Sequence, residues 1–127
     1  MKTFFFFIVL ITLGSCNGTH EMIRLKEKDN GSRIKVSKAE VFELALEGHP
    51  TAGYWWHIVS MDSAIVQEVS EQKYEPESKR LGSPGKQVFK FIATDPGETQ
   101  ITLHYNRPWE KDTAPLDTYQ IVVKVSN

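Results

Sequence analysis

From Ser32 onward the apolar residues recur with a period of two. Phe42, Leu44 and Leu46 alternate with Glu43, Ala45 and Glu47, and Phe89 and Phe91 flank Lys90. Ile101, Leu103 and Tyr105 alternate with Gln100, Thr102 and His104. Tyr119, Ile121, Val123 and Val125 alternate with Gln120, Val122 and Lys124. Side chains one residue apart on a strand point to opposite faces, so each run predicts a half-buried antiparallel strand. Turn residues separate the runs at Gly48-His49-Pro50, Gly82-Ser83-Pro84-Gly85, Asp95-Pro96-Gly97 and Asn106-Arg107-Pro108. Tyr54 to Ser60 and Ile65 to Ser70 supply two further strands, and no segment shows a sustained helical period. Roughly six or seven strands at this spacing predict an all-β fold, an immunoglobulin-like antiparallel β-sandwich, with a small barrel as the alternative.

The single cysteine, Cys16, excludes an intramolecular disulfide. The fold must therefore hold by its apolar core, which 40% hydrophobic residues make feasible. A chain of 127 residues suits one domain. Its net charge of −1, with no Lys/Arg run, gives no field that would hold nucleic acid.

The N-terminus has a different character. Lys2 precedes a stretch from Phe4 to Leu13 that is apolar apart from Thr12. As a helix it would span about 15 Å, half a bilayer core, which fits a signal-peptide segment over residues 1–15 rather than a membrane anchor. Leu13-Gly14-Ser15-Cys16 resembles a bacterial lipobox. That resemblance implies a lipid on Cys16, with about 0.8 kcal/mol of membrane affinity per buried methylene. The expected location is then a membrane-anchored lipoprotein, periplasmic or at the cell surface. Ordinary cleavage near Gly14–Cys16 would instead release a secreted protein. The sequons at Asn17 and Asn30 bear on the molecule only in a eukaryotic secretory route. Residues 16–32 are polar and of mixed charge and read as a tether before a domain at 33–127, with a short strand possible at Met22–Leu25.

Catalytic chemistry finds little support. His20, His49, His57 and His104 match no zinc spacing, and no glycine-rich loop opens a helix. Glu71, Glu75 and Glu77 lie among Lys73, Lys79 and Arg80, as in a solvated loop. No metal, cofactor or catalytic residue is expected. The unusual residues lie in three loops. His49-Pro50-Thr51-Ala52-Gly53 runs into Tyr54-Trp55-Trp56, of which at least one tryptophan is expected in the core. Leu81-Gly82-Ser83-Pro84-Gly85 is a second small-residue loop, and Arg107-Pro108-Trp109 follows a tyrosine-containing strand. Trp109 lies beyond a strand end and is expected to be exposed. Tryptophan and arginine are enriched at binding hot spots, and small loops allow close backbone approach.

These loops, in this order over about Ile34 to Val125, resemble the signatures of the chagasin family of cysteine-peptidase inhibitors. The first signature, Asn-Pro-Thr-Thr-Gly before aromatics, stands here as His49-Pro50-Thr51-Ala52-Gly53. The second, Leu and Gly-x-Gly-Gly, stands as Leu81-Gly82-Ser83-Pro84-Gly85, and the third as Arg107-Pro108-Trp109. The resemblance implies a sandwich with three loops at one end that enter the cleft of a papain-like peptidase. Thr51 would meet the catalytic Cys–His centre, Gly82–Gly85 the non-primed subsites, Trp109 the primed side and Arg107 the rim. Inhibition would be reversible occlusion by a monomer, with no cofactor. His49 and Ala52 depart from the first signature. Pro84 departs from the second and has no N–H to donate. The alternative is a non-inhibitory immunoglobulin-like surface lipoprotein that binds a protein or glycan.

Overall fold

A computed structural model of the chain describes residues 21–49, 52–80 and 83–127. Among the described residues nine strands form two sheets: β1 (Arg24–Leu25), β2 (Arg33–Ser37), β3 (Val41–Gly48), β4 (Trp55–Ser60), β5 (Val66–Glu68), β6 (Lys73–Pro76), β7 (Gly85–Ala93), β8 (Gly97–Asn106) and β9 (Asp117–Ser126). One sheet runs β1-β3-β7, with β5 and β6 end to end along the far edge of β7; the other runs β2-β9-β8-β4. The expected sandwich is therefore the one found. Its pairs are antiparallel except two: β1 lies parallel to β3, and β2 parallel to β9.

The alternating residues fill the space between the sheets. Phe42, Leu44, Leu46, Phe89 and Phe91 face Ile101, Leu103, Tyr119, Ile121 and Val123, and all are buried. Phe42 stacks on Phe91 with ring centroids 5.3 Å apart. Each such side chain contributes roughly 1.5–3 kcal/mol by leaving water. Trp56 is the core tryptophan: it is buried and lies 5.0 Å from the Tyr105 ring.

Three polar residues are buried among the described residues, each with a partner: Thr99 Oγ1 accepts from Asp62 N–H at 3.0 Å. Glu43 accepts from Arg24 Nη2 at 2.8 Å and faces Lys90 Nζ at 3.7 Å. Gln87, 1% exposed, takes the outward N–H of Trp56 on its Oε1 at 2.8 Å and donates from Nε2 to Gln72 Oε1 at 2.7 Å. Its amide thus joins the open edge of β4 to the opposite sheet.

Residues 21–32, read from composition as the second half of a tether with a short strand possible at Met22–Leu25, lie on the sandwich, and β1 falls within that short strand. Leu25 is buried beside β3, and a 3-10 turn follows at Glu27–Asp29. The Tyr119 hydroxyl donates to the Lys26 carbonyl at 2.8 Å. Asn30 binds the backbone of Thr118 and Gln120. Buried Leu25, Ile23 packed against the core, and backbone pairing dock the segment, and its mostly polar composition does not record them. The region after β5, expected as a solvated loop, contains β6, an exposed edge strand held by its ladder to β7.

Candidate functional site

Strand register brings the ends of six strands to one end of the sandwich. Gly48 at the close of β3 pairs with Gly85 at the start of β7, which also pairs with Pro76 at the close of β6. In the other sheet Trp55 pairs with Asn106, and Tyr105 with Asp117. The three connections that carry the sequence motifs, β3–β4, β6–β7 and β8–β9, therefore emerge together. Pro50, Thr51, Leu81, Gly82 and Cys16 lie outside the described residues.

The first and third loops form one unit. Gly53 has φ +80°, a left-handed conformation that glycine adopts without strain. It also lies directly beneath an indole: a Cβ built there would stand 2.5 Å from Trp109 Cη2. Arg107 Nε donates to the Ala52 carbonyl at 2.9 Å, and its guanidinium sits 4.5 Å from the Tyr54 ring centroid. Arg107 Nη1 completes the brace with Glu110 at 3.2 Å. The guanidinium is thus spent within the loop pair, a fixed cation that holds the loops in register. Trp109 remains 66% exposed, as expected of a residue free to meet a partner.

The base of the first loop is tied across the sheets. His49 N–H donates to the Tyr105 hydroxyl at 3.0 Å, and Trp56 Nε1 donates to the Glu47 carbonyl at 3.0 Å. The second loop has its own closure. Glu77 N–H donates to the Pro84 carbonyl at 3.1 Å, so Pro84 enters the hairpin through the one backbone group it retains. Ser83 Oγ donates to the Ser78 carbonyl at 2.9 Å. Gly85 is packed under Tyr74, whose ring a Cβ would strike, and Tyr74 meets Trp55 edge-on at 5.7 Å. Through Trp55 and Tyr54 the second loop abuts the first.

Several of these supports were not recognisable as site residues in the sequence. Tyr105 and Gln87 read as ordinary strand residues. Tyr54 was one of three consecutive aromatics. Leu116, 66% exposed, is an apolar residue of the β8–β9 loop, between Pro115 and Asp117.

Away from this end, a cleft of about 550 Å³ between β4 and the β5–β6 edge contains His57, Glu68 and Glu71. Burial lowers the pKa of His57 below the ordinary imidazole value. Burial first, and the Glu71 carboxylate second, raise that of Glu68. Among the described residues no group of three His, Cys, Asp or Glu could hold a metal ion.

A β-sandwich that gathers three braced loops around an exposed tryptophan is built to present a rigid edge to another protein. Residues 35–123 match the model of the Chagasin family peptidase inhibitor I42, and the chain belongs to that family of inhibitors. It is 31% identical to Amoebiasin-2 of Entamoeba histolytica, over 98% of this chain and 100% of that one. It is 38% identical to Amoebiasin-1 of the same organism, over 67% of this chain and 82% of the relative. The crystal structure of EhICP2, a cysteine protease inhibitor from Entamoeba histolytica, superposes with a TM-score of 0.75 at 26% identity, covering 83% of this chain and 96% of the other. As a member of an inhibitor family the chain is a binding protein, not an enzyme.

Proposed function

We propose that this protein inhibits papain-like cysteine peptidases by reversible occlusion, with the three loops at one end of the sandwich entering the active-site cleft. The observation that carries this reading is the Gly53–Trp109 contact with its Arg107 brace. It makes the first and third motifs one preformed surface. A preformed loop loses less conformational entropy on docking, and rigid aromatic anchors dominate such interfaces. The similarity to EhICP2, a cysteine protease inhibitor, supports a cysteine peptidase as the partner.

In this reading Thr51 meets the catalytic centre with a hydroxyl suited to polar groups. His49, Pro50, Ala52 and Gly53 carry it there. Leu81, Gly82, Ser83, Pro84 and Gly85 lie along the non-primed side, Trp109 packs on the primed side, and Arg107 and Pro108 shape its approach. A total buried area of about 1,600 Å² is expected for the complex.

The leader belongs to the same proposal: residues 1–15 direct export and are removed, leaving Cys16 at the start of a short link to the inhibitor domain. Lipid on Cys16 would tether the protein to a membrane, and its absence would leave the protein secreted. Mass spectrometry of the mature N-terminus distinguishes the two.

The test of inhibition is titration of the protein into papain with a fluorogenic peptide substrate. Stoichiometric or nanomolar inhibition is expected, weakened by Thr51→Asp and by Trp109→Ala in variants that melt like the parent. A folded protein that leaves papain and a cathepsin L-type enzyme untouched at micromolar concentration contradicts broad inhibition of this class.

A further inference from the structure

The first loop is bonded at both of its corners. His49 N–H donates to the Tyr105 hydroxyl at 3.0 Å, and the His49 carbonyl accepts the Ala52 N–H at 3.2 Å. The Ala52 carbonyl in turn accepts from Arg107 Nε at 2.9 Å. The backbone N–H and C=O of both residues are thus engaged, and the loop is closed from His49 to Ala52. One of these ties comes from outside the three motifs. Tyr105, on β8, is nearly buried, and its ring lies 5.0 Å from that of Trp56 and 5.5 Å from that of Tyr54, whose face carries the Arg107 guanidinium. The Tyr105 carbonyl also accepts the Leu116 N–H at 2.8 Å, at the far end of the third loop. Ring and backbone fix the hydroxyl, and the hydroxyl fixes His49.

We propose that Tyr105 is a positioning residue for inhibition: through the His49 N–H its hydroxyl holds the first loop closed, so that the loop blocks a cysteine peptidase without being cut by it. This role rests on the inhibitor reading above and says why the loop is a plug and not a substrate. Cutting needs a bond of the loop aligned with the peptidase thiolate at about 3–3.5 Å. The thiolate would then take the acyl group, the amine would leave with a proton from the peptidase imidazole, and one water would release the carboxylate. A loop bonded at both corners must first break those bonds to be drawn out across the cleft. Without the Tyr105 hydroxyl the His49 corner is released, while the Arg107 brace on Ala52 remains.

The experiment incubates the parent, Tyr105→Phe and Tyr119→Phe with papain, follows Ki over time and maps any cut by mass spectrometry, with each melting temperature. Tyr105→Phe keeps the ring and removes only the hydroxyl. Tyr119→Phe is the matched control: Tyr119 is also buried, and its hydroxyl also makes one bond to backbone, at the Lys26 carbonyl of the N-terminal segment and not at the first loop. Both variants are expected to melt slightly below the parent, each lacking one neutral hydrogen bond. Tyr105→Phe alone is expected to raise Ki about fivefold, the worth of one such bond, and to be cut between His49 and Gly53, so that inhibition decays on incubation. The parent and Tyr119→Phe are expected to stay intact. Cuts scattered along the chain and shared by Tyr119→Phe would assign the effect to lost stability and refute the positioning role. A Tyr105→Phe protein that stays intact refutes it whatever its Ki, as does a parent cut in the same loop. An inhibiting parent leaves the inhibitor reading standing in either case. If the parent does not inhibit papain, that reading fails and the role of Tyr105 with it.

Discussion

Gly53 can be tested against a second glycine with the same backbone but no neighbour. Gly53 and Gly31 have φ +80° and +84°, so alanine meets the same backbone strain at either. That strain is about 1–2 kcal/mol. It is offset by about 0.4–1 kcal/mol, because alanine narrows the unfolded ensemble. Each variant should lose about 1 kcal/mol, or about 4–8 °C in melting temperature for a domain of this size. The surroundings differ. A Cβ at Gly31 meets nothing within 4 Å, whereas one at Gly53 would stand 2.5 Å from Trp109 Cη2. The indole is exposed and can swing away at small cost to the fold. Swinging away removes it from the docking surface and loosens the first loop. If Trp109 is a hot spot, at least about 2 kcal/mol of binding disappears, roughly thirtyfold in Ki. Thermal melts and papain titrations of Gly53→Ala and Gly31→Ala thus separate strain from displacement. Equal melts are expected, with Ki raised for Gly53→Ala alone. A Gly53→Ala protein that inhibits within twofold of the parent refutes the argument that this contact shapes the site.

Other consequences follow from the same geometry. Gln87→Leu removes the acceptor for the buried Trp56 N–H and should cost about 1–3 kcal/mol, read by urea denaturation; an unchanged midpoint would show that the tie between the sheets is dispensable. A chain beginning at Arg33 should melt well below one beginning at Glu21, since it forfeits buried Leu25, about 1.5–3 kcal/mol, and the Tyr119–Lys26 bond; equal melts would restore the tether reading of residues 21–32. For His57 the folded state disfavours protonation, so stability is complete above the ordinary value of 6.5 and declines as pH falls below it. Glu68 acts oppositely: its raised pKa makes acidification stabilising in the window just above 4.5. His57→Gln should therefore flatten the fall in melting temperature between about pH 7 and pH 5.5, and an unchanged slope would remove His57 as its cause.

The strands that the sequence revealed through a period of two are those with a buried stripe on one face. Phe42 to Leu46, Phe89 to Phe91, Ile101 to Tyr105 and Tyr119 to Val125 all show it, because solvent on one side and core on the other impose a period of two. Edge strands lack that imprint. β6 is exposed and ends in proline, and its stability comes from hydrogen bonds to β7 that composition does not record. β2 adds in parallel to β9, a pairing of residues far apart in sequence, Arg33 with Val122. Glu43 falls on the outward face of its strand and Gln87 on the face of Phe89 and Phe91, and nothing local announces that Arg24 and Lys90, or Trp56 and Gln72, will meet them. At the candidate site, the exposure of Trp109 was legible from its place beyond a strand end. The supports were silent because each acts through a contact distant in sequence: Tyr105 with His49, and Arg107 with Ala52 and Tyr54.

The central claim is that the loop end of the sandwich is the surface that closes a peptidase. Hydrogen exchange of the protein, free and bound to papain, reads that surface directly. The account predicts slowed exchange in the complex at His49–Trp55, Glu77–Gly85 and Asn106–Leu116, with no change at the Thr94–Gly97 turn at the other end of β7 and β8. Protection confined to that distant turn, or to the β4 edge beside His57, with the three loops exchanging as freely as before, would contradict it.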